Sequence, residues 1–280
     1  MDCIKKKIDC TENDYTRENE FNFYDFLRFC TLDERNCYNI LRNFENEDLN
    51  NISFYGTNIT GESLARFINY QPTKLKYINL ENVKNLNLEY LKETFSKSTY
   101  IKELNLNNNS LMDQLSYLNE IINSNRSIEK LNISKTDIFN ILYVDKHLYD
   151  FIEAIKNNRT IKTLKIDYSL RNKRDIINLI FEKGLKYNNS IETLDLSNND
   201  IFDCEVISKS IKNNTNLKKI DLSNNSIMNE DLRDLLQGLK NVNRKSILNI
   251  NLKNNKHITY VYKNEIPKYV LLEVNNIKVY

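Results

Sequence analysis

Asp195 and Asp221 hold the same place in two copies of one short motif, Leu194-Asp195-Leu196 and Ile220-Asp221-Leu222. On adjacent strands such residues bring their Cβ atoms to about 5 Å, a separation at which two carboxylates could share acid–base work. A working pair also needs a third group and a cleft. The sequence supplies neither, so repetition is the simpler origin of the pair. Nucleophilic catalysis of the Ser/His/Asp or Cys/His kind would require His147 or His257, the only two histidines. His147 lies within Asp145-Lys-His147-Leu-Tyr149-Asp150 and His257 near the C-terminal end of the patterned region, and both read as surface or boundary residues. Of the five cysteines (Cys3, Cys10, Cys30, Cys37 and Cys204), four fall in the first forty residues, a poor basis for disulfides. Two pairs share a seven-residue offset, two helical turns, which fits packing, whereas zinc ligands usually sit two to four residues apart. Gly56, Gly61, Gly184 and Gly238 are the only glycines, and they form neither G-x-x-x-x-G-K-[ST] nor G-x-G-x-x-G. No enzyme, no metal and no cofactor is expected.

The composition agrees. The 280 residues are 40% hydrophobic and 28% charged, the balance of a soluble globular chain. Net charge is +2, from 40 Lys and Arg against 38 Asp and Glu, so no global basic field holds nucleic acid or anionic lipid. No stretch approaches the roughly 20 apolar residues of a membrane span, and Met1 to Thr16 is charged, without a signal-peptide core. With an odd cysteine count, these features point to a cytoplasmic, reducing location. Asn makes up about one residue in six and Trp is absent. Asn, Lys, Ile and Tyr share A/T-rich codons, so the bias reads first as an AT-rich genome. Asn-x-Ser/Thr sequons at Asn51, Asn58, Asn132 and Asn158 are the arithmetic of so much Asn.

Internal repetition dominates the chain. Ile101-Lys-Glu-Leu104-Asn-Leu106-Asn-Asn-Asn109-Ser-Leu111, Ile191-Glu-Thr-Leu194-Asp-Leu196-Ser-Asn-Asn199-Asp-Ile201 and Leu217-Lys-Lys-Ile220-Asp-Leu222-Ser-Asn-Asn225-Ser-Ile227 match at every patterned position. Weaker copies begin at Leu49, Leu75, Ile128, Ile161 and Ile247, making eight, at intervals of 26 to 33 residues. Their departures are Val83 and Asn85, where Asn and Leu are expected, and Arg171 and His257 in the last apolar slot. The frame L-x-x-L-x-L-x-x-N-x-L resembles the leucine-rich repeat family, and the unit length resembles its ribonuclease-inhibitor-like subclass. The resemblance implies an α/β solenoid, a right-handed horseshoe with parallel strands on the concave face and helices on the convex face, whose role is to bind protein.

Elementary geometry leads to the same shape. Frame positions four and six, such as Leu104 and Leu106, are two apart and share one face of a short strand. Leu232, Leu235, Leu236, Leu239 and Val242 follow with helical spacing, with Asn229, Glu230 and Asp231 as N-cap and acidic first turn. Leu115, Leu118, Ile121 and Ile122 form the equivalent helix face in the third unit. Parallel strands sit about 4.8 Å apart and helices about 8 to 10 Å, so the strand side lies inside the arc. Asn109, Asn199, Asn225 and Asn255 form a structural ladder where the chain leaves the strand, each amide serving backbone groups that no sheet ladder reaches. Thr57, Thr136 and Ser169 do part of this elsewhere.

Stacked units need caps. Residues 1–20 read as a flexible tail, 21–48 as a helical N-terminal cap, 49–257 as the eight repeats and 258–280 as a β-type C-terminal cap. An F-box in the N-terminal segment, which would make the chain a ubiquitin-ligase substrate adaptor, lacks its leading Leu-Pro and late Trp. What remains for function is the inner face, frame positions three, five and seven, which is polar and of mixed charge. It has neither the basic stripe nor the stacking aromatics that nucleic acid requires. A protein partner is expected, bound by a monomer through Tyr55 and Tyr77, with Glu103, Lys165, Asp195 and Asp221 orienting it. Such proteins are also familiar as host-directed effectors, which would place this one in a host cytoplasm.

Overall fold

A computed structural model describes residues 51–70, 75–140, 145–240, 242, 244–275 and 277–280. The 1–20 tail, the 21–48 cap, Leu49 and the first four cysteines lie outside the described residues. Strand and helix alternate: β1 (Asn51–Ser53), α1 (Gly61–Tyr70), β2 (Tyr77–Asn79), α2 (Leu88–Lys97), β3 (Glu103–Asn105), α3 (Leu115–Ser124), β4 (Lys130–Asn132) and α4 (Lys146–Asn157). They continue with β5 (Thr163–Lys165), α5 (Arg174–Leu179), β6 (Thr193–Asp195), α6 (Glu205–Asn213), β7 (Lys219–Asp221), α7 (Asn229–Gly238) and β8 (Leu248–Asn251). Beyond them lie β9 (Tyr260–Val261), β10 (Val270–Glu273) and β11 (Lys278–Val279).

Strands β1 to β8 and then β10 form one nine-stranded sheet, every pair parallel. The register never slips: Ile52, Ile78, Leu104, Leu131, Leu164, Leu194, Ile220, Ile250 and Leu272 are successive partners. All but Leu272 are buried. Consecutive helices pack against one another behind this apolar row, the fifth unit through the turn Ile180–Gly184 that continues its helix. The chain is an α/β repeat solenoid. Sheet and helix spacing differ twofold, which puts the strands on the inside of its curve.

Each unit turns off its strand through a left-handed residue at frame position eight: Gly56 (φ 69°), Asn82, Asn108, Lys135, Tyr168, Asn198, Asn224 and Asn254. Gly and Asn accept this backbone at low cost, which accounts for the first Asn of each Asn-Asn pair. The second is the buried Asn at position nine. Asn225 Nδ2 donates to Leu196 O (3.1 Å) and Leu222 O (3.0 Å), while its Oδ1 accepts from Asn199 N (2.9 Å) and Ile201 N (3.0 Å). Asn109, Asn199 and Asn255 repeat the arrangement. Where position nine is Thr136 or Ser169, each hydroxyl donates to Ile133 O (2.8 Å).

A second asparagine ladder ties the opposite edge. Asn125, Asn158, Asn188 and Asn214, each three residues ahead of a repeat, are buried at the helix C-caps. Asn188 Nδ2 donates to Ile155 O (2.7 Å) and Asn158 O (3.2 Å), and its Oδ1 accepts from Ser190 N (2.9 Å) and Ile191 N (2.8 Å). Asn125 and Asn214 make the same contacts with their own neighbours, and Asn158 makes all but the second donation, keeping Ile122 O, Thr160 N and Ile161 N. The sequons at this offset, Asn158 among them, are therefore structural and not the arithmetic of Asn abundance. In the next unit Arg244 takes the place, its buried guanidinium donating to the carbonyls of Ile211, Asn214, Thr215 and Leu217.

Several local expectations are corrected. Leu86, Leu170 and Ile258 are buried in the last apolar slots assigned to Asn85, Arg171 and His257. Asn85 is left-handed, Arg171 reaches out to Asp200 (2.9 Å) and His257 bridges Met228. Leu248, not Ile247, fills the first position of the eighth repeat: Ile247 is 59% exposed and Leu248 is buried. One residue of slip reverses the face. Asn229 does not cap α7; Met228 does, its N–H donating to Asp231 (2.8 Å). The Asn229 amide is spent on Thr259, donating to Oγ1 (3.0 Å) and accepting from its N–H (2.9 Å). That helix ends at Gly238, where a Cβ would sit 2.7 Å from Ser208 Cβ, so Val242 lies beyond it. At the far end, β10 extends the main sheet while β9 and β11 pair as a small parallel sheet.

Candidate functional site

Strand alternation sends frame positions three, five and seven to the face opposite the helices. Strand pairing aligns position three as Asn51, Tyr77, Glu103, Lys130, Thr163, Thr193, Lys219, Asn249 and Leu271. Position five runs Ser53, Asn79, Asn105, Asn132, Lys165, Asp195, Asp221, Asn251 and Glu273. Much of this face is spent on itself. Asn105 Nδ2 donates to Asn79 Oδ1 (2.8 Å) and Asn79 Nδ2 to Ser53 Oγ (3.1 Å), an amide ladder across three strands.

The expected site residues do not converge. Tyr77 and Glu103 line one concavity of about 380 Å³ with Asn51, Ser53, Asn79 and Asn105. Tyr55, 40% exposed, is not in that lining. Glu103 pairs with Lys130 (3.1 Å). Lys165 is exposed beside Asp195, several strands from the tyrosines.

Asp195 and Asp221 are register partners, and each is held by its own turn. Ser197 donates through N–H (3.1 Å) and Oγ (2.8 Å) to Asp195 Oδ1, and Ser223 likewise to Asp221 (2.9 and 2.6 Å). Asn251 Nδ2 donates to the other oxygen of Asp221 (2.9 Å). Burial pushes the Asp195 carboxyl above the usual range against the Ser197 bonds, with Asp167 and Asp221 adding to the rise. His147 and His257 are exposed and make no nucleophile–base pair with these carboxylates. Cys204 is buried, and burial raises its thiol well above the ordinary value. Among the described residues no group of His, Cys, Asp and Glu could hold a metal ion, and no helix is long and apolar enough to cross a membrane.

Two features escaped the sequence reading. Frame position two alternates in charge: Lys102 and Lys162 both pair with Glu129 (3.0 and 2.9 Å), and Lys218 pairs with Glu192 (2.7 Å). The spacing of Lys76, Lys102, Glu129, Lys162, Glu192 and Lys218 carried that signal. The second feature is exposed apolar surface at the C-terminal end of the strand face, Ile247 at 59% and Leu271 at 55%.

No family model matches the sequence, and no curated protein matches it. Among solved structures, the crystal structure of the Rad7 and Elc1 complex in yeast contains a similar chain. The likeness covers 80% of this chain and 74% of that one, at 13% identity and a TM-score of 0.35. At that distance the site is read from its own geometry.

Proposed function

We propose that this chain is a non-enzymatic protein-interaction module that binds a protein partner on its strand face. The observation that carries the reading is the concavity at Tyr77. A 43% exposed tyrosine stands over a recess lined by Asn51, Ser53, Asn79, Glu103 and Asn105, on a parallel sheet whose turns are tied by two amide ladders. Large amphipathic side chains on a rigid, polar-rimmed surface are the usual anchors of protein interfaces. The Asp195–Asp221 pair is occupied by Ser197, Ser223 and Asn251, which supports a structural and orienting role over catalysis.

The same reading takes the chain as a monomer acting in a cytoplasm, without nucleic acid, and its unit length as that of the ribonuclease-inhibitor-like subclass. The test is affinity capture with the full chain, identification of co-purified proteins by mass spectrometry, and measurement of the best partner by surface plasmon resonance. Tyr77→Ala is expected to weaken that partner by more than about 1 kcal/mol, roughly fivefold, without altering the melt. Unchanged affinity would move the site off this face.

A further inference from the structure

We propose that Ile247 and Leu271 form a second anchor, at the C-terminal end of the strand face, for a partner segment carrying a large apolar side chain flanked by carboxylates. The inference rests on the strand face being a protein-binding surface, and it specifies the chemistry of the partner. Leu271 is the register partner of Asn249 and stands in the same row as Tyr77. Ile247 immediately precedes β8 and is exposed where the next residue, Leu248, is buried, so it lies on the side of the chain away from the core-facing Leu248. Tyr269, the residue before β10, packs instead against the core and donates to Leu239 O while the Arg244 guanidinium lies over its ring (5.8 Å). Two aliphatic side chains, 59% and 55% exposed, thus stand at the last two strands of the main sheet.

The charges around this patch select the occupant. Lys219 pairs in register with Asn249, and Lys245 lies two residues ahead of Ile247. Both are exposed, and among the described residues neither has an ion-pair partner. The nearby acid Glu273 is already neutralised by Lys253 (2.9 Å) and held by Asn249 (2.8 Å). An apolar centre with exposed lysines beside it complements an acidic, apolar peptide. A second copy of this chain would bring the same lysines toward their own counterparts, which like-charge repulsion disfavours. Nucleic acid would find no exposed stacking ring between Ile247 and Leu271.

The experiment is selection of random displayed peptides on the immobilised full chain. Affinities of the selected peptides are then measured for the parent, Ile247→Ser, Leu271→Ser and Tyr77→Ala proteins. The altered side chains are exposed, so thermal melts should be unchanged. The expected result is enrichment of peptides with Leu, Ile, Met or Phe next to Asp or Glu. Their affinity should fall at least tenfold in Ile247→Ser and in Leu271→Ser, hold in Tyr77→Ala, weaken with salt and vanish when the acids are replaced by Lys. Failure to enrich, peptides without acidic residues, or affinity indifferent to Ile247→Ser and Leu271→Ser would overturn the proposal. Peptides that lose affinity only in Tyr77→Ala would leave the strand face standing as a binding surface and remove this anchor.

Discussion

Replacing Asn188 by Ala tests the second asparagine ladder at its most buried member, which is 0% exposed. Four bonds to backbone groups are lost, donations to Ile155 O and Asn158 O and acceptances from Ser190 N and Ile191 N, together with those to the Ser190 hydroxyl. Two of these groups are rescued. Ser190 Oγ still donates to Asn158 O (3.0 Å), and Ser190 N is only part-buried, so water can reach it. Ile155 O and Ile191 N lose their side-chain partner inside the core. At about 1 to 3 kcal/mol for each buried group left unsatisfied, the cost is about 2 to 6 kcal/mol. The neighbouring Asn189 is exposed, so Asn189→Ala is the matched control, with an expected change within about 0.5 kcal/mol. Urea unfolding followed by far-UV circular dichroism measures both. Hydrogen exchange should show the Asn188→Ala loss concentrated in the units around β5 and β6, because each solenoid unit touches only its neighbours. Equal stability of the two variants would refute the ladder as a source of stability.

Asn225→Ala should cost about 1 to 3 kcal/mol in the same assay, whereas Asn107→Ala should cost little, since the Asn107 Oδ1 already lacks a partner among the described residues. Tyr168→Asn should raise stability by roughly 1 kcal/mol, because a bulky residue held at φ 62° gives way to one that tolerates the left-handed region; a drop would show that the ring stacked with Arg171 contributes more than the strain costs. Asp195→Asn should stabilise at neutral pH. The folded-state pKa is raised, chiefly by burial, so ionisation costs folding free energy above that pKa and nothing below the unfolded value of about 3.9. The advantage of the Asn variant should therefore shrink in melts taken toward pH 4, and a constant advantage would contradict the assignment.

The alignment of the strand face was legible because two periodicities coincide. Alternation inside each strand names the outward residues, and the fixed frame names their partners, so Tyr77 beside Glu103 and Asp195 beside Asp221 follow from counting. The second asparagine ladder was equally periodic, three residues ahead of Ile128, Ile161, Ile191 and Leu217, but its sequon pattern hid in a chain rich in Asn. Frame position eight announced its left-handed backbone at Gly56, Asn82, Asn108, Asn198, Asn224 and Asn254, yet Lys135 and Tyr168 adopt it too. The fold imposes that conformation there against residue preference. Ile247 was misplaced because an apolar residue on either side of a strand boundary satisfies the frame. Only pairing with β10, which aligns Leu248 with Val270, decides which one is buried.

These ladders also limit where binding energy can come from. Side chains of the central row are committed to one another: Ser53, Asn79 and Asn105 share amide bonds, and Asp221 is joined to Ser223 and Asn251. A partner laid across them would have to break bonds to gain bonds, which returns little net free energy. At frame position two, Lys102, Glu129 and Lys162, and Glu192 and Lys218, are likewise paired near the surface, and each pair contributes at most about 1 kcal/mol. Exposed large apolar side chains stand at the two ends of the face, Tyr77 at one and Ile247 and Leu271 at the other. Between the strands of Tyr77 and Leu271 lie seven steps, about 34 Å along the sheet at roughly 4.8 Å each. A partner gripping both ends must be elongated or large. The ordered polar surface between them then sets its alignment without demanding further reorganisation, which lowers the entropic cost of association.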